Sequence, residues 1–248
     1  MIQMNFLYYL ACIGKPDLDT KLTIVRHNVN HLFTTLQHPF DMILNCYETD
    51  THTIKLITRT LTQTKQIRNL YVHIKRGVLT EVFLSNPYNE RVKNYDSILF
   101  ILDDVKLLEF DLPDMLRIKN KYNLTVCSPK IKNATHHFMA SFPPTIITRN
   151  NFLEVYLLLL SPSDFDTFLS IHTVENKWMW GADLLFGYYK IPAGIVHKYT
   201  AGHVLPSKSN HNEAYHTMIT YIQKKTTFVD MNEIRAMYKP IIEFITYE

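Results

Sequence analysis

Glycine and cysteine are both scarce in this chain of 248 residues, which contains 6 glycines and 3 cysteines. With so few glycines, a glycine-rich phosphate-binding loop is not expected. Cys12, Cys46 and Cys127 are odd in number, widely spaced and form no CxxC pair. This spacing argues against a disulfide framework and against a thiolate zinc site. All three lie in apolar runs, so we interpret them as small buried side chains.

Long hydrophobic runs and a strong charge of either sign are also missing. The apolar runs Phe6–Ile13 and Phe152–Leu160 are too short to span a bilayer. The net charge of +3 is too weak to indicate a nucleic-acid-binding protein. We therefore expect a soluble, cytoplasmic protein with no membrane span and no nucleic-acid partner. The sequence leaves the oligomeric state open.

Apolar runs alternate with helical patterns in the first half of the chain. The runs do not alternate in polarity, which indicates strands buried on both faces of a mostly parallel sheet flanked by helices. The predicted strands are Phe6–Ile13, Met42–Tyr47, Asn69–Ile74, Ser97–Leu102 and Leu124–Cys127. The predicted helices fall between them, in segments 17–38, 49–66, 78–84 and 111–119.

The second half has a less regular pattern, but no linker or internal repeat separates it from the first. We therefore predict one compact α/β domain covering residues 1–248. The predicted elements are a strand at 138–148 interrupted by Pro143-Pro144, helices at 150–160, 163–172 and 178–189, a strand at Ala193–Val196 that His197 ends, a helix at 215–222 and a last helix broken by Pro240.

Two acids, Asp103 and Asp104, directly follow the predicted strand Ser97–Leu102. Ligands bind beyond the carboxyl ends of parallel strands, so these carboxylates are expected at the rim of the sheet. Carboxylate oxygens suit Mg²⁺ or Mn²⁺, which often keep substrate phosphates as further ligands. Neighbouring residues cannot both point the same way, so we predict that one acid binds the ion and the other supports it. The alternative is a pair of solvated loop acids.

Both tryptophans of the chain lie in the segment Trp178-Met179-Trp180-Gly181-Ala182-Asp183. Aromatic faces beside a carboxylate suit sugar binding, because apolar ring faces can stack while hydroxyls bond to the acid. Asp183 is also a candidate general base for a hydroxyl nucleophile. The alternative is two core tryptophans followed by an acid at a helix start.

Two further segments contain basic residues that are candidates for a functional site. His203, predicted in a loop after the strand at Ala193–Val196, could donate a neutral imidazole to the same ion. The segment Lys75-Arg76-Gly77 follows the third strand and could receive a phosphate. For His197, the alternative to a functional role is a partly buried histidine with its hydrogen bonds made. For Arg76, the alternative to phosphate binding is a position in a solvated turn.

Four segments, taken in order, resemble the GT-A-fold glycosyltransferases, and in particular small glycosyltransferase-like proteins of large DNA viruses of algae such as chlorella viruses. In that family a strand ends in a DxD-type acidic motif, a Trp-Gly-x-Asp segment begins a helix, and a later strand leads to a His before a Pro. The resemblance implies a Rossmann-like first half, residues 1–105, that binds a nucleotide sugar, and an acceptor-binding half, residues 106–248. The segments are Tyr95–Val105, Phe110–Pro129, Trp180–Asp183 and Ala193–Pro206.

The resemblance implies a metal-dependent transfer of sugar from a UDP- or GDP-sugar to a hydroxyl of a glycan or glycoprotein, in the cytoplasm of an infected host cell if the source is viral. The implied cofactor is Mn²⁺ or Mg²⁺. The family's first acid falls on Leu102, which departs from the pattern. Asp183 matches the acid on the acceptor side, the implied catalytic base. The remaining implied residues are Asp104, His203 and Asp103 at the metal, Gly14, Lys15, Tyr47, Arg76 and Asp103 at the donor, and Trp178 and Trp180 at the acceptor.

Two other functions stay open at this point. A sugar-nucleotidyltransferase would carry a glycine-rich loop with a basic residue after the first strand, and here only Gly14-Lys15 is present. A non-catalytic carbohydrate-binding module, or a degenerate transferase, is favoured by Leu102 at the first acidic position.

Overall fold

The computed structural model describes residues 4–134, 142–206, 211–228, 230, 232–233, 236 and 242–246. The first half of the chain alternates strands and helices, as its apolar pattern predicts. Its elements are β1 (Phe6–Ile13), α1 (Leu18–Leu36), β2 (Phe40–Cys46), α2 (Thr51–Thr62), β3 (Ile67–Ile74), α3 (Leu79–Leu84), a 3₁₀ helix (Pro87–Asn94) and β4 (Ser97–Ile101).

The second half contains more strands than its sequence predicts. Local capping defines two of its helix starts: the Asp111 side chain accepts from the Asp114 N–H, and Ser161 forms a capping box with Asp164. The elements are β5 (Val105–Glu109), α4 (Leu112–Lys121), β6 (Val126–Lys132), β7 (Ile146–Asn150), β8 (Leu157–Leu160), α5 (Pro162–Ile171), α6 (Ala182–Tyr188), β9 (Ala193–His203), α7 (His211–Lys225) and β10 (Ile242–Thr246).

The strands form one sheet in the order β10-β7-β9-β6-β8-β4-β1-β2-β3, with β5 paired to β9 off this path. The neighbours β3, β2, β1 and β4 are parallel, and so are β6 and β9. Strand β8 is antiparallel to both β4 and β6, while β7 and β10 extend the far edge in antiparallel pairs. The predicted α/β domain, with a mostly parallel central sheet flanked by helices, is confirmed.

Strand β1 is apolar on both sides because a core lies on each face of the sheet. Phe6, Tyr8 and Leu10 pack into the core that contains the apolar face of α1. Leu7 and Tyr9 point the other way and pack into the core that contains α5. All five side chains are at most 1% exposed. This double burial is expected where helices cover both faces of parallel strands.

The helix predicted at 150–160 is wrong, because Leu157–Leu160 form strand β8. All four leucines are buried, and they pair with β4 on one side and β6 on the other. A short leucine run has no period that separates a buried strand from a buried helix, and leucine favours helices intrinsically. The neighbouring strands therefore decide the conformation.

Strand β9 is longer than predicted, and this changes the position of two histidines. His197 lies in the middle of β9 rather than at its end, and His203 is the last residue of the strand rather than part of a loop. His197 is fully buried with its Nε2 3.0 Å from Thr148 Oγ1, so it is a core side chain. Strand β5 was not predicted, and it pairs with the added part of β9.

Smaller differences between the predicted and the observed elements concern where some helices and strands begin and end. Helix α6 begins at Ala182 rather than at Trp178, because Met179 and Gly181 have positive φ angles. Strand β6 extends past the predicted end at residue 127. The predicted strand at 138–148 and the predicted last helix around Pro240 lie partly outside the described residues. None of the helices that the structure describes has the length and apolarity needed to cross a membrane.

Candidate active site

A cleft of about 870 Å³ opens at the edge of the sheet where the parallel strands β1, β2 and β4 end. This edge is where α/β sheets bind ligands, and the volume is typical of a small-molecule site. The structure brings seven of the predicted site residues together on the cleft wall: Tyr47, Asp103, Asp104, Trp178, Trp180, Asp183 and His203.

The two acids after β4 point to different partners. The Asp103 carboxylate is buried with its Oδ2 2.9 Å from the Lys21 ammonium. The Asp104 carboxylate instead reaches His203, with 3.0 Å between Asp104 Oδ2 and His203 Nε2. Burial raises the pKa of Asp103 to about 6, although the Lys21 charge opposes the shift. The divergence of the pair follows from their adjacency in a tight turn between β4 and β5.

Asp104 and His203 form the best candidate for a metal-binding pair. The hydrogen bond to Asp104 raises the pKa of His203 above its ordinary value, and the imidazole packs 4.7 Å from the Tyr156 ring centroid. The other carboxylate oxygen, Asp104 Oδ1, is buried and has no hydrogen-bond partner among the described residues. A buried carboxylate oxygen in this situation is the kind of group that a hard cation satisfies.

The protein ligands at this position are few. Within the described ranges, no three His, Cys, Asp or Glu side chains are grouped so that they could hold a metal ion. A divalent cation bound by Asp104 and His203 would therefore take further oxygen ligands from water or from phosphate groups, which is usual for Mg²⁺.

Lys21 is a buried cation at the base of the cleft. It lies in the second turn of α1, and only 9% of the residue is exposed. Burial alone would lower the pKa of its ammonium group, but Asp103 and the Tyr47 hydroxyl outweigh burial and raise it. The group therefore stays charged and neutralises Asp103.

Asp183 lies in the first turn of α6 and lines the same cleft. Its Oδ1 accepts a hydrogen bond of 3.0 Å from the Leu184 N–H. Burial raises the pKa of this carboxyl to about 7, although backbone hydrogen bonds oppose the shift. A carboxylate with a pKa near neutrality is suited to accept a proton from a hydroxyl.

The turn before Asp183 is closely fixed. Gly181 has a φ of +83°, and a Cβ added there would meet Met218 Cγ at 2.8 Å. Asn176 is fully buried and its Nδ2 donates to the Trp180 carbonyl over 2.8 Å. The tight turn holds Trp178 and Trp180 at the cleft wall.

Three residues predicted to bind the donor lie outside the cleft wall. Gly14 lies beneath the Tyr47 ring, where no side chain would fit. Lys15 is exposed, with its Nζ 3.4 Å from Asp50 Oδ2. Arg76 is exposed beside Gly77, which does line the cleft. The roles of Gly14, Lys15 and Arg76 in donor binding stay predictions.

Sequence analysis missed most of the cleft wall, including the polar residues Lys21, Glu154 and Tyr156. Lys21 carries a detectable signal, because it lies four residues before Val25 and therefore falls on the apolar face of α1. Glu154 and Tyr156 carry none, because they precede β8 in a segment that was predicted as a helix.

No protein-family model matches the chain, and a search of curated proteins also finds no match. Solved structures do resemble it. One is GalNAc-T7, crystallised with UDP, GalNAc and Mn²⁺, with a TM-score of 0.64 and 8% identity over 96% of this chain and 54% of that one. Another is residues 1–349 of S. aureus TarS in complex with UDP, with a TM-score of 0.54 and 13% identity over 94% of this chain and 69% of that one.

A further structure of S. aureus TarS has a TM-score of 0.55 and 12% identity, over 89% of this chain and 39% of that one. The chain thus spans about half the length of the GalNAc-T7 structure. At these identities the likeness concerns the fold. The chain has the GT-A fold of these glycosyltransferases.

Proposed function

We propose that the protein is a glycosyltransferase that moves a sugar from a nucleoside-diphosphate sugar to a hydroxyl group of a glycan or glycoprotein. The observation that carries the proposal is the placement of Asp104, His203 and Asp183 on one cleft at the carboxyl ends of the parallel strands. The fold supports it, since structural neighbours contain UDP. The resemblance to viral proteins and the cytoplasmic location stay predictions.

Donor and acceptor are proposed to bind on the two halves of the chain. Residues 1–105 contribute Tyr47, Asp103 and Asp104 to the cleft, and a cation held at Asp104 would offset the repulsion between these acids and the diphosphate. Residues 106–248 contribute Trp178 and Trp180, whose ring faces can stack on an acceptor sugar. This assignment follows the two sides of the cleft and the resemblance found in the sequence.

Asp104 and His203 would hold a divalent cation, Mn²⁺ or Mg²⁺. The fit rests on the unpartnered buried oxygen of Asp104 and on the imidazole beside the other oxygen. When bound there, the cation supplies positive charge for the diphosphate that leaves. A GT-A neighbour crystallised with Mn²⁺ and UDP supports this choice of ion.

Asp183 is proposed as the general base. The acceptor oxygen attacks the anomeric carbon, the bond from that carbon to the diphosphate oxygen breaks, and the acceptor proton passes to the Asp183 carboxylate. The diphosphate leaves with the electron pair. A base on the face opposite the leaving group implies inversion at the anomeric carbon, and the pKa of about 7 suits the proton transfer near neutral pH.

Calorimetry with UDP and GDP, each with and without Mn²⁺, tests the proposal. We expect one diphosphate to bind, and binding to strengthen with Mn²⁺. Asp104→Ala should weaken Mn²⁺-dependent binding about tenfold or more. The matched control is Asp166→Ala, an exposed acid on α5 that does not line the cleft. Absence of nucleotide binding in the wild-type protein would contradict the proposed function.

A non-catalytic carbohydrate-binding function is the second candidate. It is favoured by Leu102 in place of the first acid and by the lack of a three-residue metal cluster in the described part of the chain. Donor hydrolysis and transfer to a panel of glycosides separate the two functions. Donor binding without any turnover supports the second, whereas turnover lost in Asp183→Asn supports the first.

A further inference from the structure

Lys21 is unusual because its charged group is buried at the base of the cleft. Lysine is rarely buried, and an ammonium group removed from water must be compensated by hydrogen bonds and opposite charge. Here the side chain is 11% exposed, and its partner Asp103 is 7% exposed. The two charges are therefore compensated mainly by protein groups rather than by water.

The Lys21 ammonium group donates hydrogen bonds to two protein atoms and forms an ion pair with a third. Its Nζ lies 3.0 Å from the Gly14 carbonyl oxygen, 3.0 Å from Tyr47 Oη and 2.9 Å from Asp103 Oδ2. These three partners follow β1, β2 and β4, which are neighbours in the sheet. One side chain from α1 thus joins the carboxyl ends of three parallel strands.

We propose that Lys21 is a positioning residue for nucleotide binding, because its ammonium group fixes Tyr47 and Asp103 on the donor side of the cleft. The inference rests on the proposed function. The three polar partners of the Lys21 ammonium group all belong to the protein, so Lys21 acts through these partners and not as a direct phosphate ligand. Asp103 thus pairs with Lys21, while the neighbouring Asp104 pairs with His203.

The Tyr47 hydroxyl has two polar contacts, and Lys21 provides one of them. The hydroxyl donates to the Lys15 carbonyl over 2.7 Å and accepts from Lys21. The Tyr47 ring covers Gly14, where an added Cβ would collide with it. Loss of the ammonium group would free the ring from one of its two polar contacts and leave the Asp103 carboxylate without its opposite charge.

The test uses Lys21→Met, which keeps the length of the side chain and removes the ammonium group. The matched control is Lys119→Met, since Lys119 is also buried, 3.2 Å from Asp164, and does not line the cleft. Calorimetry with UDP and with GDP, in Mn²⁺ and at a temperature where circular dichroism shows folded protein, gives the dissociation constants. We expect at least an approximately tenfold rise in Lys21→Met and a change within about twofold in Lys119→Met.

Both variants should lose thermal stability, so stability alone does not decide the question. A Lys21→Met protein with a lower Tm that binds the diphosphate as tightly as the wild type would overturn the inference. The same holds if Lys119→Met weakens binding as much as Lys21→Met. With a sugar donor that turns over, we expect Lys21→Met to raise the KM for the donor by a larger factor than it lowers kcat. The reason is that the substitution disturbs the residues that are proposed to bind the nucleotide.

Tyr47→Phe provides a second, milder variant that keeps the test valid if Lys21→Met does not fold. It removes the hydroxyl that Lys21 contacts, and we expect the dissociation constant to rise about threefold or more. In the double variant the two effects should not multiply, because Tyr47 acts through the same contact. An unchanged constant in Tyr47→Phe contradicts the inference. A wild-type protein that binds neither UDP nor GDP contradicts both the inference and the proposed function.

Discussion

At the scale of single residues, three carboxyl groups of the cleft differ in how deeply they are buried and in which side chains they contact. Burial raises the pKa values of Asp103 and of the half-buried Asp183, yet only Asp103 has a lysine to compensate it. Asp104 remains partly exposed and pairs with His203. These three acids of the cleft wall therefore have three different environments, which is typical of a site where each acid has a separate role.

We expect Asp183 to make the free energy of unfolding depend on pH. The Asp183→Asn variant should lack this contribution. The folded-state pKa of about 7 exceeds the ordinary value of 3.8, so folding favours the protonated carboxyl. The ionised form therefore destabilises the fold above pH 7, and this cost disappears as the pH falls toward 4. We expect Asp183→Asn to be more stable than the wild type at pH 8, with the difference shrinking between pH 7 and pH 4.

Urea unfolding followed by tryptophan fluorescence at pH 4, 5, 6, 7 and 8 measures this difference. A variant that is less stable than the wild type at pH 8, or a difference that does not depend on pH, would show that the Asp183 carboxyl is not strained by burial. Asp166→Asn, an exposed change on α5, serves as the control.

At the scale of elements, β5 shows how a segment without a sequence signal is held by side chains from a neighbouring helix. Asn28 of α1 is fully buried, donates to the Val105 carbonyl and accepts from the Leu107 N–H, each over 2.8 Å. His27 Nε2 lies 2.7 Å from the Leu107 carbonyl oxygen on the same face. Strand β5 begins directly after Asp104, so these contacts also support the candidate metal pair.

Asn28→Ala should therefore destabilise the protein by about 2–4 kcal/mol, because it leaves two buried backbone groups without their partner. The control is Asn30→Ala, an exposed asparagine on the same helix, which should change the free energy of unfolding by less than about 0.5 kcal/mol. Urea denaturation of both variants provides the comparison. Equal stability of the two variants would mean that Asn28 does not hold β5.

Strand β8 and the end of β9 illustrate why some elements escape sequence analysis. The leucines of β8 have a helical preference, and only pairing with β4 and β6 makes them a strand. His203 ends a strand instead of following one because β5 pairs alongside it. Both outcomes depend on pairing with strands that are distant along the chain, and local patterns carry no information about that pairing.

At the scale of the whole molecule, the cleft should couple nucleotide binding to the stability of the entire fold. Its walls come from β1, α1, α3, α6, β9 and α7 and from the turns after β2 and β4, so a ligand there contacts segments from most of the chain. A ligand at 100 times its dissociation constant stabilises the native state by about 2.7 kcal/mol. For a chain of 248 residues, this corresponds to a rise in Tm of about 5–11 °C.

A thermal-shift screen of UDP, GDP, CDP and ADP with Mn²⁺ measures this effect. We expect one base to give the full rise and the others to give less, with Asp104→Ala reducing it. Equal small shifts for all four, unchanged in that variant, would indicate nonspecific binding of diphosphate rather than a nucleotide site.

The sequence by itself determined the α/β class, the parallel strands β1 to β4 and the position of the acids after β4, because these depend on local apolar patterns and on the rule that parallel strands end at one edge. It also indicated Asp183 and His203 through an ordered resemblance. Only the tertiary structure decided that Asp103 pairs with Lys21 while Asp104 pairs with His203. Those pairings join residues 82 and 99 positions apart, and packing across the sheet, not local sequence, brings them within hydrogen-bonding distance.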